Sequence, residues 1–156
     1  ETVDDLGATG RWSIRVVGSR ELLPQALNDR LTAAELKTHG IGGVAVNVAI
    51  GYGGRLEIVD AFKRFLNEAK SEGKEISQIS EELDIHSIDR YLYTAGQPDP
   101  ELVIRTSGEQ RLGGFLLWQS HQSEFYFCEA YWPDFRRVDF LRALRSYAAR
   151  ERRLGR

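Results

Sequence analysis

The chain has 156 residues, a formal net charge of −2, and 42% hydrophobic against 28% charged residues. Those totals suit one globular domain with a real core and exclude a disordered chain, and the charge leaves no whole-chain attraction to nucleic acid. One cysteine, Cys128, excludes an internal disulfide and suits a reducing, cytoplasmic compartment. No apolar run nears the ~20 residues of a membrane span, and no signal peptide is visible. The sequence opens at Glu1 and holds no methionine, so a piece of a longer protein is expected.

"WSIRVVG" (12–18) is β-rich and alternating, which predicts a strand closing at Gly18. Helical spacing follows from Leu22 to Thr38, with Pro24 tolerable in the first turn and Gly40 as the stop. "GGVAVNVAI" (42–50) is an almost unbroken apolar run, the pattern of a strand covered on both faces in a parallel sheet. "GYGGR" (51–55) turns the chain into a second helix, whose inner face is expected at Leu56, Val59, Phe62, Phe65 and Leu66. An acidic stretch with short helices runs to Asp89, and "GQPDP" (96–100) is a turn. A third strand, "ELVIR", is followed by "FLLWQ", "SEFYF", "WPDF" and a helix from about Val138. That helix should turn Val138, Leu141, Leu144 and Tyr147/Ala148 inward. Strands alternating with helices predict an α/β fold, a parallel sheet flanked by helices, in a single domain over 1–156. Gly73-Lys74 is the one weak breakpoint.

Ligands of such sheets bind beyond the C-terminal ends of strands, and the "ELVIR" strand ends in Arg105. "RTSGEQRLGGF" then supplies a second arginine, Arg111, among glycines and small polar residues. Guanidinium forks and Gly/Ser backbone N–H groups both suit an anion. The plainer reading is two surface arginines paired with Glu109. Glu124, in "SEFYF", is by alternation the wet face of a strand, or a Mg²⁺ carboxylate if a diphosphate lies near. Other chemistry is absent: no Walker loop, G-x-G-x-x-G, H-E-x-x-H, C-x-x-C or G-x-S-x-G occurs, and His39, His86 and His121 lack metal spacing. "YGGR" reads as a tight turn ahead of a phosphate loop. From Arg136 onward there are eight arginines against two acids, either a solvated basic helix face or a contact with an anionic group or surface.

The run "LVIRTSGEQRLGGFLLWQSHQSEFYFCEAYWPDF", together with "NVAIGYGGRLEIVDA" and "RERRLG", resembles the cis-prenyltransferases, the undecaprenyl diphosphate synthase family, from Ser13 to Gly155. The resemblance implies condensation of isopentenyl diphosphate with an allylic diphosphate to form a cis double bond. It also implies Mg²⁺, a homodimer or heterodimer, and a parallel sheet flanked by helices. Arg105 and Arg111 match the arginines that grip isopentenyl diphosphate, and Leu112 and Gly113 match the loop that closes on it. Glu124 matches the metal carboxylate. Arg153-Leu154-Gly155 matches a terminal R-x-G that reaches the partner subunit's diphosphate site. Gly113 stands where the family usually has Ser, and Gln110 where some members have His. The family's D-G-N-x-R-W motif, with its catalytic Asp, and its S-x-E-N-W stretch are not in this sequence, so no catalytic residue is assigned within it. A non-catalytic partner subunit is the alternative, but such partners tend to lose the R-T-S-G-E loop and the carboxylate kept here. A phosphate-binding module of unrelated function would rest on Arg105 and Arg111 alone. The C-terminal stretch looks most like short-chain, farnesyl-making members from actinobacteria. Supply of a cell-wall lipid carrier and a peripheral contact with the inner face of the cell membrane are the cellular expectations.

Overall fold

A computed structural model describes Asp5 and residues 7–150. The elements run β1 (Trp12–Val17), a 3-10 turn (Arg20–Leu22), α1 (Gln25–Thr38), β2 (Val44–Ala49), α2 (Gly54–Ser71), α3 (Ile76–Glu82) and α4 (Ile85–Asp89). There follow β3 (Leu102–Arg105), β4 (Glu124–Phe127), a second 3-10 turn (Trp132–Asp134) and α5 (Arg137–Ala148). The chain forms two compact units that meet at Gly96 and Gln97. Gly73-Lys74 is not a boundary, because Lys74 ion-pairs with Glu72 and Glu82 and its N–H donates to the Ala69 carbonyl.

In the first unit β1 and β2 pair in parallel, Trp12 opposite Val44 and Val17 opposite Ala49. The outer edge of β1 is closed by side chains of α1. Thr38 Oγ1 accepts the Ile14 N–H at 3.0 Å, and Glu35 Oε1 accepts the Val16 N–H at 2.6 Å. Glu35 gives its second oxygen to Arg20, and Thr38 donates to the Ala34 carbonyl, so neither partner is left with spare valence. Edge N–H groups that would otherwise need water are thereby satisfied. Gly18, at φ +114°, ends β1 where any Cβ would collide with the Ile50 carbonyl.

Two expected inner faces are corrected here. Val44, Ala45 and Asn47 of β2 are exposed, and Val44 keeps 55% of its surface. The parallel pairing holds, but the helix Gln25–Thr38 packs on β1 rather than on β2, and faces are covered by packed helices, not by a neighbouring strand. In α2 the buried residues are Gly54, Glu57, Ala61, Phe65 and Ala69, while Leu56, Val59 and Phe62 stay exposed. Small side chains let the helix approach its neighbours closely, and the large ones flank that seam.

Glu57 is fully buried, a position carboxylates reach only when their oxygens are hydrogen-bonded. Tyr52 Oη donates to Oε2, and the Tyr93 N–H donates to Oε1 at 2.8 Å. The Tyr52 and Tyr93 rings meet edge to face at 6.1 Å. Tyr93 donates its own hydroxyl to Asp60 at 2.7 Å, and burial first and that bond second push its phenol up to about 12. Glu57→Ala is expected to lower stability by about 2–3 kcal/mol, because two donors lose their acceptor. Tyr52→Phe should cost about 1 kcal/mol. Urea unfolding of both variants checks the order, and an equal or reversed pair of costs refutes it.

In the second unit β3 and β4 also pair in parallel, Leu102 opposite Glu124 and Arg105 opposite Phe127. The expected inward stripe of α5 is not found. Val138, Leu141 and Leu144 are exposed, and the buried residues are Asp139 and Ala143. Asp139 is drawn in by its own cap: its Oδ2 accepts from Arg136 N at 3.1 Å and Arg136 Nε at 3.2 Å, and its Oδ1 from Arg142 at 3.3 Å. The Arg136 side chain first, and its backbone N–H second, hold the Asp139 carboxyl below its usual range. The unfolded chain therefore binds this proton more tightly than the folded one. The resulting stability is complete above the unfolded value of 3.8 and is lost as pH falls through the folded value. Asp139→Asn should flatten the acid side of a plot of thermal midpoint against pH below about pH 4. An unchanged acid limb would show that the pair contributes nothing.

Candidate functional site

The loop after β3 is drawn back onto the chain that follows β4. Cys128 N–H donates to the Arg105 carbonyl at 2.8 Å, Gly108 N–H to the Cys128 carbonyl at 2.9 Å, and Ser107 N–H to the Ala130 carbonyl at 2.8 Å. Ser107 takes a left-handed φ of +74° to make that turn. The N–H groups of Ser107 and Gly108 are thus committed and do not face an anion, which corrects that part of the sequence reading.

The arginines remain. Arg111 Nε lies 2.7 Å from Glu109 Oε2, and Arg105 Nη2 lies 4.0 Å from the same oxygen. Two guanidiniums converge on one carboxylate oxygen, the geometry with which they would meet a phosphate oxygen. Arg105 is three-quarters buried, and its Nε is enclosed without a hydrogen-bond partner. A buried donor in that state costs stability, so it is strongly disposed to donate to an anionic oxygen. Arg111 is 79% exposed and Leu112 is also exposed, both on the open side of the loop. Gly113, at φ +59°, sits so close to the Arg105 guanidinium that a Cβ would strike Nη1. The structure therefore gathers Arg105, Arg111, Leu112 and Gly113 with Glu109 into one cluster.

Glu124 is not in it. It opens β4 opposite Leu102, whereas Arg105 closes β3 opposite Phe127. Three steps of about 3.3 Å put the two about 10 Å apart along the strands. Alternation also turns them to opposite faces: Arg105 shares its face with Phe125 and Phe127, whose rings stack at 6.3 Å. Glu124 Oε2 is taken by Arg150. Among the described residues no three His, Cys, Asp or Glu side chains gather as a metal site. Arg153, with its Leu154-Gly155, lies outside the described residues. Sequence reasoning missed the contacts that surround Glu124, made by Arg150, Tyr147 and Glu101; an i, i+3 pair, Tyr147 and Arg150, was their one visible sign.

With this geometry in view, the comparisons are specific. The prenyltransferase family model described as undecaprenyl diphosphate synthase matches residues 1–155. The chain belongs to that family. Over 153 residues it is 54% identical to isoprenyl transferase 1 of Streptomyces avermitilis, covering 98% of this chain and 60% of that protein. It is 53% identical to a short-chain Z-isoprenyl diphosphate synthase of Mycobacterium leprae, covering 99% of this chain and again 60% of the relative. The crystal structure of lavandulyl diphosphate synthase from Lavandula x intermedia, in complex with dimethylallyl diphosphate, matches with a TM-score of 0.88 at 32% identity, covering 99% of this chain and 65% of that one. The α/β architecture of parallel strands and flanking helices is the prenyltransferase one, and the chain spans about three fifths of the length of these curated relatives.

Gly113 gives the cluster a direct test. Gly113→Ala should displace the Arg105 head and weaken binding of inorganic diphosphate about tenfold, and the left-handed φ adds about 1 kcal/mol of destabilisation. Calorimetric titration with diphosphate and denaturant unfolding read the two effects separately. Undiminished affinity would remove Arg105 from the anion site.

Proposed function

We propose that the protein carrying this chain is a cis-prenyltransferase, that the two units described here are parts of one catalytic domain, and that the loop from Arg105 to Gly113 binds isopentenyl diphosphate. The observation that carries the reading is the buried, unpartnered Nε of Arg105 beside a second guanidinium, both aimed at one carboxylate oxygen. On arrival of the diphosphate, Glu109 yields its place and the two forks take up phosphate oxygens. This diphosphate does not leave; its role is to fix the alkene end against the allylic partner. The new C–C bond forms as the allylic C–O bond breaks, and a proton leaves the isopentenyl unit. The relatives are named as transferases and synthases, and the loop arginines and Glu124 are all present, which favours the enzyme over a non-catalytic partner subunit.

A Mg²⁺ requirement belongs to the same proposal, with Glu124 as the carboxylate. Within one chain the donors do not fit it, since Glu124 lies on the other face and at the other end of the β3–β4 pair from Arg105 and shares an oxygen with Arg150. A homodimer belongs to the same proposal, each site using its own Glu124. No helix among the described residues is long and apolar enough to cross a membrane; a peripheral contact of the basic tail with the inner face of the cell membrane belongs to the same proposal.

Incorporation of radiolabelled isopentenyl diphosphate by the complete protein tests the reaction. Arg105→Ala and Arg111→Ala should each cost about 2–4 kcal/mol in kcat/KM for isopentenyl diphosphate, with little change in the KM of the allylic substrate. A selective rise in the allylic KM would reverse the assignment of the loop.

A further inference from the structure

The first unit carries a cluster of arginines that the proposed reaction does not use. Where β1 ends, the 3-10 turn at Arg20–Leu22, α2 and the chain after α4 border a cleft of about 360 Å³. Arg15, Arg20 and Arg64 line it against a single carboxylate, Glu21, and Leu92 and the Tyr93 ring form a less polar wall. That volume suits a small ligand.

Two of the guanidiniums are held in place. Arg20 donates through Nη1 to the Thr32 hydroxyl at 3.1 Å and pairs through Nη2 with Glu35. Arg64 donates through Nη1 to the Tyr91 carbonyl at 3.2 Å and lies over the Tyr93 ring, 5.2 Å from its centroid. Neither of those partners of Arg64 is charged. Among the described residues Arg15 and Arg64 have no ion pair, and the exposed Arg15 side chain has no hydrogen bond. Glu35 answers Arg20, so Glu21 is left facing two uncompensated cations. A basic face that meets only solvent gains nothing from fixed heads, because ordering a long side chain costs rotamer entropy. Heads fixed in advance lower the cost of binding a ligand.

The lining also selects the ligand. A carboxylate brings one charge and two oxygens. A phosphate group brings nearly two charges and three acceptor oxygens, which guanidinium forks meet in pairs. A cleft, rather than a flat basic face, favours a soluble compound over a bilayer surface.

We propose that the cleft lined by Arg15, Arg20 and Arg64 binds a small soluble phosphate compound. It lies wholly within the first unit and shares no residue with the loop from Arg105 to Gly113.

Calorimetric titration of the complete protein with inorganic diphosphate tests it, with Arg111→Ala as the parent so that the loop contributes little. Binding should persist in that parent. Arg15→Gln and Arg64→Gln should each weaken it about tenfold, through loss of one charge-assisted fork. Glu21→Gln should tighten it about threefold, since the one repulsive charge is removed. Acetate at matched ionic strength should not compete. Arg64→Gln also gives up its contacts with Tyr91 and Tyr93, so its thermal midpoint is measured alongside. If that variant is destabilised, Arg15→Gln decides, because it breaks no hydrogen bond or ion pair among the described residues. Absence of diphosphate binding in the Arg111→Ala parent, or an affinity unmoved by Arg15→Gln, would overturn the proposal. So would Arg15-dependent sedimentation with phosphatidylglycerol vesicles in a protein that does not bind diphosphate.

Discussion

Everything proposed for the second unit follows from the register of one short parallel ladder. Leu102 lies opposite Glu124 and Arg105 opposite Phe127. Because side chains alternate and the strands run the same way, that register separates two charged groups which the resemblance would have act on the same diphosphate. One belongs to the C-terminal end and one face, the other to the N-terminal end and the opposite face. A shift of one residue would exchange the faces. The distance between Arg105 and Glu124 within this unit is a consequence of where these four pairs fall.

The loop itself is organised by commitment of its backbone. Ser107 and Gly108 spend their N–H groups on carbonyls beyond β4. Glu109 draws the two guanidiniums of Arg105 and Arg111 toward one carboxylate oxygen; if the loop binds the diphosphate proposed above, that ligand has to displace Glu109.

Much of the architecture is readable from residue order. The four strands, the stop at Gly40 and the α5 helix follow from alternation, apolar runs and punctuation. The inner faces of α2 and α5 do not. Periodicity points to the largest apolar side chains, yet the buried positions include Gly54, Ala61, Ala69 and Ala143, and the two buried carboxylates, Glu57 and Asp139, are admitted by hydrogen bonds to Tyr52, Tyr93 and Arg136. Such partners are distant or orientation-dependent, so no one-dimensional pattern marks them. The same limit applies to the site. The residue types at Arg105, Arg111 and Glu124 are legible, but their separation depends on strand register, which sequence spacing leaves open.

The sealed edge of β1 has a further consequence. With Thr38 and Glu35 seated on its outward N–H groups, that side of the pair offers no template to an incoming strand, whether from a misfolded neighbour or from an extended peptide. Two side chains of one helix therefore occupy the two β1 positions, Ile14 and Val16, at which an added strand would need a free N–H.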